Sequence, residues 1–339
     1  MTPATSTGAR RRARTWSLLG DVRRKVTPYE AVTAKFHYHF RRDPAPFELD
    51  PEMSLNRWYL RHRENSPFQV DDWEDFRDPF KLTYKDYVSL QHERELYLDG
   101  LVDQYEVADV TARLDEGWVE TLRRLFVPLR FPLHALQMIS LYVGQMAPSS
   151  FITNPASFQA ADEMRRIQRL AYWTKVLGNT HGDHIATTAA AHDPWAEGGE
   201  WQPLRETVER LLVTYDWGEA FVGLNLAVKP ALDTLIDWQL GELADRNGDV
   251  FLSLLFSEFE RDARRSREWS AALVDYALTR DPGLRGVVTG WLDVWTPSAE
   301  RACDGLAPLF EKAPEPIPAA DVASAVRAQL AQLRTTCGL

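Results

Sequence analysis

The sequence predicts an all-α protein in which long helices form a bundle, preceded by an extended N-terminal arm. From Thr83 onward, apolar side chains recur at the spacing of an amphipathic helix, and capping residues stand at the starts of several of these runs. No segment alternates convincingly between apolar and polar residues as a half-buried strand does. Long helices joined by short connections usually pack as a bundle with an apolar interior.

The composition is that of an ordinary globular protein. The chain has 339 residues, of which 45% are hydrophobic and 26% charged, so it can bury a large core and is not a disordered tail protein. Cys303 and Cys337 are too few for a disulfide framework and too far apart for a zinc or redox pair. No apolar run approaches the roughly 18 residues that a membrane span needs, and no apolar signal region follows the first arginines. We therefore expect a cytoplasmic protein without a membrane passage.

Residues 1–82 are predicted to form a basic arm and a proline-rich irregular segment, with one short helix at about 51–64. Residues 1–42 carry ten Lys or Arg against two acids, a net charge of +8, whereas the remainder carries −18. Apolar anchors within a basic arm favour docking on a protein partner, although an arm that folds back on its own acidic body and an arm that binds nucleic acid are alternatives. We expect no nucleic-acid binding, because the basic run belongs to no recognised module. The residues predicted at the partner interface are Arg14, Trp16, Leu18, Leu19, Tyr29, Phe36, Tyr38 and Trp58.

The tryptophans divide into two groups by their setting. Trp16, Trp58 and Trp73 lie outside any helical pattern, which favours contact with a partner. The tryptophans within helical patterns are expected in the core. They are Trp118, Trp173, Trp217, Trp238 and Trp291.

Residues 83–312 are predicted to form the helical body. Thr83 and Asp86 have the spacing of a capping box at the start of the first long helix, and Asp216 and Glu219 repeat it. An asparagine or threonine before a proline predicts helix starts at Pro155 and Pro297. Further helices are expected at about 114–129, 133–146, 155–177, 203–213, 216–228, 231–245, 250–279, 282–294, 297–310 and 321–333. Residues 313–339 are then a proline-rich joint and a C-terminal helix that the joint frees from the body.

A bundle of this size raises the question of a carboxylate-bridged di-iron centre. Such a centre needs a glutamate from each of two helices and Glu-x-x-His from each of two others. None of the eight histidines has an acidic residue three positions before it. The chain therefore lacks the usual ligands, and no catalytic, cofactor-binding or metal-binding residue is assigned.

Arginines stand where the histidines of such a site would be. Three acid-x-x-Arg pairs lie in two long helices, and a guanidinium cannot ligate iron. Either these arginines pair with carboxylates in the buried space of a metal site, or the pairs are ordinary solvated helix pairs. The positions of this degenerate metal site are Glu163, Arg166, Glu258, Arg261, Asp262 and Arg265.

A second histidine cluster is less suggestive. His181 and His184 flank Gly182 and Asp183, and His192 follows, so a transition metal is conceivable there. The spacing is not that of a helical zinc motif, which favours histidines that cap a helix end. The sequence contains no Gly-x-Ser-x-Gly, phosphate loop or dinucleotide fingerprint, so serine-hydrolase and nucleotide-binding functions have no support.

Several segments together closely resemble the β subunit of soluble bacterial multicomponent monooxygenase hydroxylases. This is the toluene-, phenol- and alkene-oxidising group related to soluble methane monooxygenase. The resemblance covers about residues 14–310. It rests on residues 142–154 (YVGQMAPSSFITN), 158–169 (FQAADEMRRIQR), 14–17 (RTWS), 83–87 (TYKDY), 215–221 (YDWGEAF) and 262–266 (DARRS).

The resemblance implies a ferritin-like, ribonucleotide-reductase-like subunit that carries no metal or other cofactor itself. Its partners would be an α subunit with the di-iron centre, a γ subunit and a second protomer. The resemblance also implies a reductase supplied by NADH with FAD and iron–sulfur groups, a ferredoxin and an effector protein. The chain would then be a non-catalytic subunit in the hydroxylation or epoxidation of hydrocarbons.

Two other functions remain open at this point. One is a self-sufficient di-iron or manganese oxidase with unusual ligands, drawn from Glu93, Glu163, Glu258 and His184. The other is a helical scaffold that binds nucleic acid through its basic arm, with a steep salt dependence as its signature.

Overall fold

The computed structural model describes residues 25–34, 52–107 and 109–339, and all regular secondary structure in these residues is helical. The predicted all-α class is confirmed. No helix in the described part of the chain is both long and apolar enough to cross a lipid bilayer. The helices are α1 (Pro28–Thr33), α2 (Ser54–Tyr59, continued by a π-helical turn at Leu60–Glu64), α3 (Tyr84–Val107), α4 (Glu116–Leu125), α5 (Arg130–Met146), α6 (Ser150–His181), α7 (Thr188–Glu197), α8 (Gln202–Leu212), α9 (from Trp217–Val222 to Gly241–Arg246), α10 (Val250–Arg280), α11 (Leu284–Phe310) and α12 (Ala319–Thr336).

The Thr83 capping box forms as predicted, and Asp216 caps the helix that follows it. The Thr83 hydroxyl accepts from the Asp86 N–H at 3.2 Å, and the Thr83 N–H donates to the Asp86 carboxylate at 3.2 Å. Asp216 accepts from the N–H groups of Gly218 and Glu219 at 2.9 and 3.0 Å. These bonds satisfy N–H groups that have no partner within the first helical turn.

Two helices continue through prolines that the sequence analysis placed at helix starts. Helix α6 begins at Ser150, and its cap is Ser149, whose hydroxyl accepts from the Phe151 N–H at 3.2 Å. Pro155 therefore lies inside the helix, and Asn154 donates instead to the Leu82 carbonyl at 2.9 Å. Helix α11 likewise runs through Pro297. Both predicted starts were wrong because burial of the adjoining apolar residues outweighs the one backbone bond that an internal proline removes.

Helix α9 is continuous where two helices were predicted. It passes Pro230 between two π-helical segments, Gly223–Val228 and Thr234–Leu240. A proline cannot donate to the carbonyl four residues earlier, and its ring crowds that carbonyl. The wider π-helical turns accommodate this irregularity without ending the helix. The prediction of a break failed because nearly all of α9 is buried.

The C-terminal helix packs on the body and is not freed by the proline-rich joint. Ile317 in the joint is 2% exposed. The Asn247 side chain donates to the Glu315 carbonyl and accepts from the Glu315 N–H, both at 3.0 Å. Val322, together with Leu330, is buried on the inner face of α12.

Most of the tryptophans predicted in the core are buried, but Trp73 and Trp238 are each found in the setting expected of the other. Trp118, Trp173 and Trp217 are buried as predicted. Trp73, expected to face a partner, is buried against Trp217 with ring centroids 5.4 Å apart. Trp238, expected in the core, is 41% exposed, because the π-helical segment shifts the side-chain register of α9.

Candidate functional site

Five charged side chains from α6 and α9 meet in the interior of the bundle. We call them the central cluster. Glu163 and Arg166 lie one turn apart on α6, and three residues follow one another every four positions on α9, so each set shares one helix face. Each member of the cluster is at most 4% exposed: Glu163, Arg166, Lys229, Asp233 and Asp237.

Arg166 is the hub of the central cluster. Its Nη1 donates to Asp233 Oδ1 at 2.8 Å and to the two Glu163 oxygens at 3.2 and 3.3 Å, and its Nη2 donates to Asp237 Oδ1 at 2.9 Å. Lys229 Nζ bonds to Glu163 and lies 3.1 Å from Asp233. Two cations therefore occupy the space among three carboxylates.

The central cluster has one more carboxylate than it has cations, and the pKa values shift accordingly. Burial raises the pKa of Asp237 well above its ordinary value. Burial alone would raise the pKa of Asp233 as well, but the charges of Lys229 and Arg166 lower it. Burial opposes the charged forms of both cations, yet the surrounding carboxylates hold the pKa of Arg166 and of Lys229 above their ordinary values. Burial therefore favours the protonated form of Asp237, whereas the two cations favour the charged form of Asp233.

A second cluster lies beside the first and joins three helices. Arg265 Nη2 donates to Asp162 Oδ2 at 2.6 Å and to Asp262 Oδ1 at 2.8 Å, and Arg165 Nη1 donates to Asp262 Oδ2 at 2.8 Å. Gln91 Nε2 donates to both aspartates, at 2.7 and 3.0 Å. The second cluster consists of Tyr87, Gln91 and Arg94 from α3, Asp162 and Arg165 from α6, and Asp262 and Arg265 from α10.

Burial and the neighbouring charges shift the pKa values of Asp162 and Arg265 in the second cluster. Burial, together with the neighbouring Asp262 carboxylate, raises the pKa of Asp162 to about 7, although Arg265 counteracts both effects. Burial opposes the charged form of Arg265, but the two aspartates raise its pKa above the ordinary value.

The structure decides between the two interpretations of the acid-x-x-Arg pairs. Arg166 and Arg265 are 2% and 8% exposed and form buried ion pairs. Arg261 is different: its Nε lies 3.2 Å from Glu258, but its side chain is 58% exposed, so this pair is of the solvated kind. The periodicity of α10 turns position 261 outward, whereas positions 262 and 265 face α6.

The residues of the two clusters do not fit a di-iron centre. They include no imidazole. Arg166, Lys229 and Arg265 form ion pairs with the carboxylates that would otherwise ligate a metal. A guanidinium or ammonium in such an ion pair has no free lone pair for a metal and stays protonated at neutral pH. What the arrangement does is hold α3, α6, α9 and α10 together through buried, directional bonds.

The ligand set considered for a self-sufficient oxidase does not converge. Glu93 and His184 are exposed, whereas Glu163 is fully buried in the central cluster. Within the described residues, no three His, Cys, Asp or Glu side chains are grouped so that they could hold a metal ion. His181 Nε2 lies 2.7 Å from the Thr111 carbonyl, which agrees with the helix-end interpretation of that histidine cluster.

Only two of the predicted interface residues lie in the described part of the chain, and both contact this chain's own body. Tyr29 is 4% exposed and donates to Asp78 at 2.7 Å, so it is a core residue and not a free anchor for a partner. Trp58 is half-buried and donates to the Tyr142 hydroxyl at 3.3 Å. Arg14, Trp16, Leu18, Leu19, Phe36 and Tyr38 lie outside the described residues.

Comparison with known proteins places this helical arrangement in a family. Residues 58–281 match the family model described as methane/phenol/alkene hydroxylase. The chain belongs to that family. It is 40% identical over 291 residues to the hydroxylase component subunit beta of the toluene-4-monooxygenase system of Ectopseudomonas mendocina, covering 86% of this chain and 88% of that one.

A more distant relative and a solved structure agree with this family. The chain is 26% identical over 324 residues to the hydroxylase small subunit of propane 2-monooxygenase from Gordonia sp. (strain TY-5), covering 89% of this chain and 82% of the relative. A structure of toluene 4-monooxygenase with toluene in its resting active site superposes with a TM-score of 0.81 at 36% identity, covering 96% of this chain and 99% of the matched chain. The prediction of a ferritin-like β subunit from a multicomponent monooxygenase hydroxylase is confirmed.

Proposed function

We propose that this chain is the non-catalytic partner of an iron-bearing α subunit and braces that subunit during the NADH- and O₂-dependent hydroxylation or epoxidation of hydrocarbons. The observation that carries the proposal is the central cluster, in which Arg166 and Lys229 occupy the carboxylates of the degenerate metal site. No cofactor is assigned to this chain. The di-iron centre belongs to α, and NADH, FAD and iron–sulfur groups belong to the electron-transfer components.

The physical role follows from the rigidity of the buried charges. A shift of one helix would separate a buried ion pair and leave its charges uncompensated, which is costly. The ion pairs therefore hold each helix in one register relative to its neighbours. A rigid subunit packed against α would keep the metal-bearing helices within the small positional tolerance that catalysis requires. No bond-making or bond-breaking step is assigned to a side chain of this chain.

The proposed assembly is a dimer of protomers, each with this chain, an α subunit and a γ subunit, in the cytoplasm. An effector protein and a ferredoxin or reductase would act on this complex. The similarity to hydroxylase subunits of multicomponent monooxygenases supports the pairing with α. Because the nearest similarity reported above is to a toluene-4-monooxygenase subunit, toluene is the first hydrocarbon to test.

Metal analysis of separately and jointly produced subunits tests the proposal. The chain produced alone should contain no stoichiometric iron and oxidise nothing, whereas joint production with α should give a complex that hydroxylates toluene when the electron-transfer components are present. Two tightly bound iron ions in the isolated chain would contradict the proposal. So would full hydroxylation by α in the absence of this chain.

The basic arm can be tested separately from the core. Deletion of residues 1–24 removes Arg14, Trp16, Leu18 and Leu19 but spares Tyr29, which is part of the core. We expect weaker assembly with α, measured as complex mass in solution. Tyr29→Phe, which keeps the ring and loses only the bond to Asp78, is the matched control and should assemble normally.

A further inference from the structure

A cavity of about 190 Å³ lies between α11 and α12. Its floor is apolar and is formed by four buried leucines together with Cys337. The half-buried Thr296 on α11 and the exposed Ala331 on α12 also line the cavity, both with short side chains. The four leucines are Leu226 from α9, Leu292 from α11, and Leu330 and Leu333 from α12.

Glu300, Arg327 and Arg334 also line the cavity, and both arginines have carboxylate partners outside it. Arg327 Nη2 donates to the two Asp304 oxygens at 2.9 and 2.6 Å. Arg334 Nη1 lies 3.7 Å from Asp293 Oδ1. The aliphatic stems of the arginines can therefore line the opening while the guanidinium groups stay with carboxylates in solvent.

The size and the lining of the cavity define what it can hold. Protein interiors are otherwise close-packed, so an apolar space of this size loses many contacts unless a guest fills it. Enclosed leucine-lined cavities of about 150 Å³ stay dry and bind benzene. This cavity opens to solvent but has a similar apolar floor. A charged or strongly hydrogen-bonding guest would lose hydration without gaining a partner on the leucine floor.

We propose that this cavity binds a small hydrocarbon, with toluene as the probe. The binding step is non-covalent and is separate from hydroxylation in α. The class of ligand rests on the proposed function, whereas the existence of the site rests on the cavity and its lining. The cavity would give the complex a hydrocarbon site in the subunit that has no catalytic residues.

Cys337 provides a local measurement of occupancy in the intact hydroxylase complex. Its side chain lines the cavity and is 3% exposed, so an alkylating reagent reaches it only when the site opens. Toluene at about ten times its dissociation constant should slow alkylation of Cys337 roughly tenfold, because a ligand protects by one plus the ratio of its concentration to that constant. Cys303 is 1% exposed and lies outside the cavity lining, so its alkylation rate should not change.

Variants that fill the cavity make the measurement specific. Thr296→Leu and Ala331→Leu fill it from opposite helices, and each should abolish the toluene protection of Cys337. Ala328→Leu, the same kind of change at an exposed position of α12 outside the cavity lining, is the matched control and should keep the protection. Crystals of the complex soaked in bromobenzene should show bromine in the cavity of the wild-type chain and none in the two filled variants.

The outcomes separate this proposal from the proposed function. A complex that hydroxylates toluene but shows no protection of Cys337 overturns the cavity proposal alone. Equal protection in the wild type and in both filled variants also overturns it. Protection that disappears on filling supports the cavity site, and if the same complex fails to hydroxylate any hydrocarbon, only the proposed function is contradicted.

Discussion

Asparagine in place of Asp237 tests the charge balance of the central cluster. Asp237 Oδ1 accepts a bond from Arg166 Nη2 at 2.9 Å. Burial raises the pKa of Asp237, and we predict from this direction that the wild-type side chain is a neutral carboxylic acid at pH 7. An asparagine has the same shape, keeps an oxygen as the acceptor and is also neutral. The charge of the cluster is therefore the same in the variant.

The expected cost of Asp237→Asn is small compared with that of neighbouring substitutions. We expect a change in the free energy of unfolding within about 1 kcal/mol, the value of one ordinary hydrogen bond. Asp233→Asn should cost about 2 to 3 kcal/mol, because Lys229 loses a charged acceptor that Asp237 does not replace. With a neutral Asp237, Asp233→Asn already leaves both cations against Glu163 alone, so the double variant should cost the sum of the single variants to within about 1 kcal/mol.

Urea unfolding of the copurified complex measures these costs. Hydrogen exchange of peptides from α9 assigns the change to this chain, since that helix carries both aspartates. If Asp237→Asn destabilises the protein as much as Asp233→Asn, then Asp237 is ionised in the native state. The assignment of the proton, and with it the neutrality of the central cluster, would then be wrong.

Three further predictions concern the second cluster, the solvated pair and the C-terminal joint. Burial raises the pKa of Asp162 to about 7, so the native chain keeps a proton that the unfolded chain releases above about pH 4. The stability of the wild type relative to Asp162→Asn should therefore fall as the pH rises from about 4 to about 7. Parallel pH profiles of the two proteins in urea unfolding would contradict this. Arg261→Ala should change stability by less than about 1 kcal/mol, whereas Arg265→Ala should cost about 3 to 5 kcal/mol, as compared by thermal unfolding. Asn247→Ala removes two bonds to the joint at about 1 kcal/mol each and should speed hydrogen exchange in residues 313–318; unchanged exchange there would show that apolar packing alone holds α12.

Periodicity and capping chemistry predicted the fold well wherever local signals determine it. Thr83, Asp216 and the apolar spacing of α10 gave helix positions that the structure reproduces. Prolines misled the prediction at Pro155, Pro230 and Pro297, because a local rule for helix starts competes with long-range burial of the flanking residues. That burial depends on which helices become neighbours, and a single sequence does not contain this information in local form.

The site was predictable on two helices and was missed on the third. Arg166 and Arg265 lie three positions after an acidic residue, where the Glu-x-x-His ligand pattern has its histidine. Comparison of the sequence with that pattern was therefore enough to find them. Lys229, Asp233 and Asp237 were missed, because the expected break at Pro230 divided their helix. The available signal was their regular four-residue spacing within an otherwise apolar run, which predicts buried charges on one face.

The cations of the central cluster are covalent parts of the polypeptide. Ions held by ligands can be extracted, exchanged for another element or lost when the supply in the cell is low. A guanidinium or an ammonium cannot, so chelators added during purification leave the centre of this bundle charged and paired. In the complex proposed above, iron scarcity would limit the supply of active hydroxylase through the α subunit, while this chain would still reach its native fold.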